Sequence, residues 1–575
     1  MPPKKRTRIT KSTESIPSLA TMHRFWEIEE LISLVYEELD MCDRDDSSAD
    51  MLSLVLTRKK NFASGLAHIW RRPALPQLVR LCHHLVDAAT SPILAKGGWD
   101  RLLLYSRHIR ILNTSRTLAR HRGVTYYHFH DVLIQAGQRH VDLFPMLQQL
   151  TFDVDSEISF ATLSAALRIT LRTLCVQFYP APSMASVWDE GFMLLCSGLK
   201  YKCPRLVRLE VPILPPHADA VLLRTLVEAT SNVRCFSLGS RHSAIMIKPM
   251  QILEISTMYP ALEDLSVWSV PASGDKQQEP CTLPVMSFPC LRRVAIGLSE
   301  KTAALVALRA CTSSLQEVII NIDCSCHPRF RGTHGSLASQ PPPVPNTFSQ
   351  VLSEIVRAIS ALPCPDLLSL TITFSHPEVN LVLQPLEPVP YCIFHPLTRF
   401  SKLQTFKLSL NLGPTADNRS LDITDEDMVL LAAAWPELRH LGVTWVQGSH
   451  EGSGILNPNR LTFGGTLAPL AQGCPKLETI HISFLNAMPP IPIPYPRPCA
   501  NLKEIRVDKG RLWDVLEKGR FLLAVWPNAD FGWEPDEGDL EVWKPLGKML
   551  ERLRNGGRLT RAVMRVEFPR TLYIH

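Results

Sequence analysis

One nine-residue phrase recurs along the chain, and its repetition constrains the fold more than any other feature of the sequence. It reads "FPMLQQLTF" at 144–152, "YPALEDLSV" at 259–267, "WPELRHLGV" at 435–443 and "CPKLETIHI" at 474–482, with further copies at 203–211, 288–296 and 364–372. Weaker copies bring the total to twelve, and they begin at Leu171, Val233, Leu315, Leu403 and Leu502. A chain that repeats one short pattern builds one structural unit many times.

Apolar and polar positions alternate within each phrase. With the first apolar residue after the proline position (Leu438 in the copy at 435–443) as column one, columns four and six are apolar in all twelve phrases. Column five is apolar in only three of them, at Cys175, Ala295 and Ile319. A period of two predicts a β-strand with one buried face, and the β-branched residues common in column six favour a strand. Columns four and six therefore predict the inner face of a sheet.

Helical segments precede most phrases, for example "VLSEIVRAIS" at 351–360 and "DEDMVLLAAA" at 425–434. The proline two residues before column one ends each helix and favours an extended entry to the strand. Successive phrases begin 24 to 52 residues apart. A helix and a short strand at this period resemble a leucine-rich repeat, L-x-x-L-x-L, without the usual asparagine. The alternative is an ordinary α/β domain with a doubly wound sheet, which rarely needs twelve near-identical strands.

The resemblance implies an α/β solenoid with a parallel sheet on its concave side and helices outside. Columns three, five and seven then point into the concavity, and their mixed charges suit protein recognition better than a phosphate backbone. Aromatic residues are over-represented among binding anchors. We therefore expect an unknown target protein to bind near four residues of the later repeats: Trp268, His440, Trp445 and His481.

The rest of the chain divides by composition. Residues 1–21 predict a disordered basic tail, whose "KKRTR" is a candidate nuclear import signal. Residues 73–142 predict a helical linker or N-terminal cap, and residues 143–508 predict the repeats, with a disordered insert at about 324–347. Residues 509–575 predict a C-terminal helical cap, because the open end of a solenoid exposes apolar edges.

The sequence of residues 22–72 predicts three short helices. Ile28, Leu31, Ile32, Val35 and Leu39 form one apolar stripe of the first helix. Three short helices make a poor independent core, so this segment either binds a partner or only caps the solenoid.

The segment resembles an F-box. "FWEIEELISLVYEELD" gives the acidic amphipathic opening helix, and "LSLVLTRKKNFASGLAHIWRR" gives the Leu/Val-rich second helix, a basic-aromatic turn and a terminal Leu-x-x-x-Trp. "FWEI" replaces the common Leu-Pro opening, and "TRKKNF" replaces the usual turn. With the repeats, the layout resembles the F-box proteins with degenerate leucine-rich repeats of mushroom-forming fungi.

That resemblance implies a substrate-recognition adaptor of an SCF-type ubiquitin ligase. The F-box would bind the Skp-type adaptor, and through it the cullin, while the repeats bind the target. The implied adaptor-binding residues are Phe25, Trp26, Ile28, Leu31, Ile32, Val35, Leu39, Leu54, Val55, Phe62 and Trp70. The alternative is a leucine-rich-repeat scaffold outside any ligase, whose F-box-like segment has become a structural cap. A GTPase-activating repeat protein would need an N-terminal catalytic region or an arginine finger, and nothing in the sequence marks either one.

Sequence motifs for chemistry are missing. The chain has no phosphate-cradling Gly-rich loop, no nucleophile elbow and no second Cys or His pair at zinc spacing after "DCSCH". We therefore expect neither an enzyme nor a catalytic, cofactor or metal site. A net charge of +6 is too weak to predict nucleic-acid binding, and the absence of an apolar run of about 18 residues argues against a membrane span. The cysteines are interpreted as reduced thiols, which favours a cytoplasmic or nuclear protein.

Overall fold

The computed structural model describes residues 62–73, 96–114, 127–139, 141–179, 185–213, 220–239, 245–246, 255–270, 288–298, 308, 313–323, 348–375, 389–411, 421–445, 461–486, 501–511, 522, 524–526 and 529–532. The chain divides into two compact units, Met1–Leu174 with Tyr201–Arg205, and Cys175–Lys200 with Leu206–His575. None of the helices in the described ranges combines the length and the apolar character needed to cross a bilayer.

The first unit contains four described helices and the beginning of a parallel sheet. The helices are Phe62–Ile69, Lys96–Ser106, Tyr127–Gln138 and Glu157–Ala166. Strands β1 (Ile111–Asn113) and β2 (Gln149–Val154) pair in parallel, with Leu112 opposite Leu150. The division between the two units falls inside β3 (Thr173–Phe178).

The second unit alternates strands with helices. Its strands are β4 (Arg208–Ile213), β5 (Cys235–Leu238), β6 (Ile245–Met246), β7 (Asp264–Val270), β8 (Arg293–Leu298), β9 (Glu317–Asp323), β10 (Ser369–Ser375), β11 (Val389–Pro390), β12 (Thr405–Asn411), β13 (Leu421–Asp422), β14 (His440–Trp445), β15 (Thr479–Asn486), β16 (Glu504–Arg511) and β17 (Asp530–Gly532). Its helices are Ala185–Lys202, Ala220–Ala229, Phe348–Ser360, Asp425–Ala434 and Phe463–Gly473, with a 3₁₀ helix at Tyr391–Arg399. The last two residues of the first of these helices, Tyr201 and Lys202, belong to the first unit. The main sheet runs in chain order from β4 to β17, while β6 pairs only with β7, and β11 with β13.

Columns four and six are buried in every phrase, which confirms the predicted strand register. None of these side chains is more than 4% exposed; in β14, for example, Leu441 is 2% and Val443 0% exposed. The helices cover this inner face: the Phe406 ring in β12 lies 4.7 Å from the ring of Trp435, the residue after the helix Asp425–Ala434. The described residues thus form an α/β fold with the parallel sheet of a leucine-rich-repeat solenoid.

A regular hydrogen-bond ladder joins successive phrases through column two. The carbonyl of Gln404 accepts from the amides of Arg439 at 2.7 Å and His440 at 2.9 Å. The first unit carries the same pattern further towards the N-terminus, because the Arg71 carbonyl accepts from both Arg110 and Ile111 at 3.0 Å. Arg71, immediately after Trp70, therefore occupies the column-two position of an additional unit.

Each unit contains a strand outside the predicted repeat range of 143–508. Strand β1 lies in the predicted linker, and β17 lies in the predicted C-terminal cap. The β1 phrase escapes the apolar pattern because its column six is Thr114, which is 4% exposed and donates its hydroxyl to the Thr151 carbonyl at 3.0 Å. The basic tail, the insert at about 324–347 and most of the predicted C-terminal cap lie outside the described residues.

One carboxylate links the N-termini of two successive helices in the second unit. Asp425 accepts hydrogen bonds from the Thr462 amide at 2.8 Å, the Thr462 hydroxyl at 2.6 Å and the Thr466 hydroxyl at 2.7 Å. Gly465 permits this approach, since a Cβ there would lie 2.1 Å from Asp425 Oδ2. Buried hydroxyls need such partners, so Asp425 fixes how the two helices stack.

Candidate recognition face

The open face of the sheet consists of columns three, five and seven. In β14, His440 and Thr444 on this face are half-buried, whereas Leu441 and Val443 on the inner face are buried. Side chains on the open face therefore lie outside the core that the helices cover.

An aromatic platform occupies the open face at β7. The half-buried Trp268 lies across Gly297 of β8, where a Cβ would come within 2.0 Å of Trp268 Cε3. On the other side, Gly239 follows β5 with φ of +82°, and a Cβ there would lie 2.4 Å from the Trp268 carbonyl oxygen. Glycines within or beside strands mark such close approaches. Trp268 is therefore seated between two neighbours that have no side chain.

A row of compensated charges lies beside this platform. The Asp264 carboxylate lies 3.0 Å from the guanidinium group of Arg293 and 3.8 Å from that of Arg208. Arg293 also meets Glu317 at 3.1 Å, and Arg208 meets Glu210 at 3.5 Å. Two arginines thus share three carboxylates, and the net charge of these five side chains is slightly negative.

A second group of polar residues lies on β12, β14, β15 and β16. His440 Nδ1 lies 2.9 Å from the Thr479 hydroxyl. Lys407 pairs in register with Gly442, Gly442 with His481, and His481 with Arg506, so these residues share column five.

The structure brings His440 and His481 together but separates them from Trp268. Five strand-to-strand steps lie between β7 and β14, which amounts to about 24 Å along the sheet. The predicted target-binding residues therefore belong to two separate patches.

Trp445 is the last residue of β14. It pairs with Leu410, which is fully buried, and its position has the same parity as Leu441 and Val443. The assignment of Trp445 to the target-binding surface stays a prediction.

Most of the predicted adaptor-binding residues lie outside the described residues: Phe25, Trp26, Ile28, Leu31, Ile32, Val35, Leu39, Leu54 and Val55. Phe62 is the first residue of the helix Phe62–Ile69. Trp70, just after this helix, is half-buried and stacks on Tyr105 with ring centroids 4.8 Å apart. At least part of the Trp70 ring is thus used inside the first unit.

Sequence reasoning missed the glycines of the open face. Gly297 and Gly442 stand at column-seven and column-five positions, where a strand loses stability without a side chain. Glycine in a strand indicates a bulge or a close approach, and that signal was present in the sequence. The residue that makes the approach was not deducible, because it lies on another strand.

Parallel strands in chain order, a buried alternating face and one helix or loop per strand define a protein of the leucine-rich-repeat class. No family model matches the chain, and no curated protein matches it. Among solved structures, the chain is similar to the leucine-rich repeat-containing protein LegL7 from Legionella pneumophila, at 10% identity and a TM-score of 0.31, over 72% of this chain and 99% of that chain. The fold assignment rests on strand register and burial, since a likeness at this score adds no support.

Proposed function

We propose that this chain is a non-enzymatic scaffold that binds a target protein on the open face of its second unit. The Trp268 platform is the observation that carries the proposal. A large aromatic side chain held by packing gives contact area at little entropic cost, and such residues dominate binding energy at protein interfaces. The compensated charges around Trp268 also fit a protein partner better than a polyanion.

The finer proposal is a substrate-recognition adaptor of an SCF-type ubiquitin ligase. Its support is the F-box-like sequence of residues 22–72, whose last part adjoins the sheet of the first unit through Arg71, Arg110 and Ile111. A firm join between an adaptor-binding segment and the sheet would help to hold a bound target in place for transfer by other subunits.

The same hydrogen bonds favour a second candidate, a repeat scaffold outside any ligase. Arg71 completes the ladder and Trp70 packs on Tyr105, which is what a purely structural cap requires. The two candidates differ in whether the stripe at Ile28, Leu31, Ile32 and Val35 binds an adaptor.

Affinity purification with mass spectrometry tests the scaffold itself. Trp268→Ala should remove at least one partner that the wild-type protein captures, because the anchor of the contact is lost. Leu430→Ala is the matched control, since Leu430 is 50% exposed but lies on the helix Asp425–Ala434, on the other side of the sheet. Identical partner sets for wild type and Trp268→Ala would contradict recognition at this platform.

Ile32→Asp tests the finer proposal. A carboxylate placed in an apolar contact has no partner, so the Skp-type adaptor should be lost while the target is retained. Ser33→Asp adds the same charge one residue away from the predicted stripe, and it should keep the adaptor. Unfolding of the whole protein by Ile32→Asp would support the structural-cap candidate. A folded Ile32→Asp protein that keeps the adaptor would rule out adaptor binding at these residues.

A further inference from the structure

The indole ring of Trp268 lies flat on the sheet. A Cβ placed at Gly297 would lie 2.0 Å from Cε3, 2.3 Å from Cδ2 and 2.6 Å from Cζ3, which are three consecutive atoms of the six-membered ring. An approach from the ring edge would leave both neighbours of Cε3 much further away than Cε3 itself, so Gly297 lies under one π-face. The opposite face of the half-buried indole is therefore turned away from β8, towards the open side of the sheet.

Uncharged residues border this platform. Columns five and seven of β7, β8, β9 and β10 lie in register, and none of the eight described residues at these positions is charged. We call these positions the neutral strip: Ser266, Trp268, Ala295, Gly297, Ile319, Asn321, Thr371 and Thr373. On the same strands, Arg293 in column three contacts Asp264 at 3.0 Å and Glu317 at 3.1 Å. Asp323 lies in column nine, at the end of β9.

The neutral strip offers amide and hydroxyl groups beside the ring. Asn321 pairs in register with Gly297, so its amide stands on the strand next to the one that the indole covers. Thr373 pairs with Asn321 and lies one strand further along, about 5 Å away. Both side chains are half-buried, and neither makes a hydrogen bond to another part of the chain that the structure describes. Amides and hydroxyls donate as well as accept, so these groups can satisfy both kinds of partner.

A neutral sugar ring has the chemistry that complements this surface. A pyranose carries C–H groups on its faces and hydroxyl groups around its rim. The C–H groups pack against the negative π-face of an aromatic ring, and the rim hydroxyls donate and accept like those of serine and threonine. A ligand that covers Asn321 and Thr373 must replace their hydrogen bonds to water, because an unsatisfied polar group is costly. A sugar replaces these bonds without bringing a charge.

Other ligands that stack on indole fit the neutral strip less well. A nucleic-acid base would bring phosphates, which bind lysine and arginine, and none of the eight residues is cationic. A cation on the π-face would gain from a carboxylate beside it, and none of the eight is acidic. Proline-rich segments dock in aromatic-lined grooves, whereas Trp268 is the only aromatic residue among the eight.

We propose that the Trp268 platform binds a neutral pyranose ring of a glycan carried by the target protein. The sugar stacks on the outer face of the indole, and Asn321 and Thr373 form hydrogen bonds with the hydroxyls of this ring or the next. The distance from β8 to β10 is about 10 Å, which leaves room for a second ring. This inference rests on the proposed function and specifies the chemical class of the ligand at the same platform.

A glycan array probed with the fluorescently labelled full chain tests this inference. The array carries neutral oligosaccharides that end in glucose, N-acetylglucosamine, galactose or mannose, and the sialylated or sulfated form of each. Decaproline and decalysine peptides are spotted beside them. At least one neutral oligosaccharide should bind at least tenfold more tightly than its charged form and than either peptide. In saturation-transfer difference NMR, the C–H protons of one of its sugar rings should receive the most saturation, because that ring contacts the indole.

Variants then locate the site. Trp268→Ala should weaken binding of that oligosaccharide at least tenfold. Asn321→Leu keeps the volume of the side chain and removes the amide, and it should weaken binding at least threefold. Thr444→Val is the matched control, since it removes a hydroxyl in column seven of β14, outside the neutral strip, and it should change the affinity less than twofold. Circular dichroism checks folding. If Trp268→Ala fails to fold, Asn321→Leu and Thr444→Val still make the comparison.

Three results would overturn the inference: no neutral oligosaccharide bound above its charged form, tighter binding of either peptide than of every oligosaccharide, or equal affinity loss in Asn321→Leu and Thr444→Val. These failures are distinguishable from failure of the proposed function. If Trp268→Ala removes a captured partner while the array shows no sugar binding, the scaffold stands and only the ligand class is wrong.

Discussion

Gly297→Ala should destabilise the protein, and the cause should be the Trp268 ring that lies across Gly297. The new Cβ would stand 2.0 Å from Cε3 and 2.3 Å from Cδ2 of the indole ring, well inside van der Waals contact. The ring must therefore leave its position, or β8 must shift. Overpacking of this kind costs about 1–3 kcal/mol.

The effect of Gly297→Ala on the free energy of unfolding should change sign when the indole of Trp268 is absent. In a Trp268→Ala background, the Cβ at Gly297 no longer meets the ring, and alanine is favoured over glycine within a strand by about 0.5–1 kcal/mol. The coupling between the two substitutions should thus reach about 1.5–4 kcal/mol, the sum of the cost and the gain.

Urea unfolding followed by far-ultraviolet circular dichroism on the four proteins of this cycle measures the coupling. Gly442→Ala is the matched control, because its new Cβ would meet the flexible Lys407 stem at 3.3 Å, and its cost should be small. Acrylamide quenching adds a second readout, since the displaced indole should become more accessible in Gly297→Ala. An equal effect of Gly297→Ala with and without Trp268 would refute the placement of the ring.

Three further changes test the core and its thiols. Leu441→Asp should cost several kcal/mol, because it buries an unpaired carboxylate, whereas Thr444→Asp on the open face should cost much less; equal midpoints in urea would contradict the register. Asp425→Ala removes the acceptor of three hydrogen bonds and should cost about 2–4 kcal/mol, with exposed Glu426→Ala in the same helical turn as the control in the same assay. Burial raises the pKa of the Cys364 thiol to about 11, which keeps it protonated at pH 8; iodoacetamide should then modify exposed Cys392 and spare Cys364 in the native protein, as read by mass spectrometry.

The local alternation of the sequence determined the inner face of this protein. Columns four and six are buried because a strand must present every second residue to the helices, and this holds even where the phrases are weak, as at Phe236 and Leu238. The period of two is a property of the backbone, so it was readable without knowledge of neighbouring strands. Thr114 is a polar residue in column six. It can be buried there because its hydroxyl donates a hydrogen bond to the Thr151 carbonyl.

Only the tertiary structure decided what lies on the open face. The sequence places Trp268 in column seven of its strand, but the glycine beneath it, Gly297, is 29 residues further along the chain and becomes its neighbour through the β7–β8 register. In the same way, Lys407, His481 and Arg506 form one cluster because three strand pairings align them. Alternation assigns a residue to a face, whereas its partners on that face depend on the lengths of the helices and loops between strands, which no local pattern specifies.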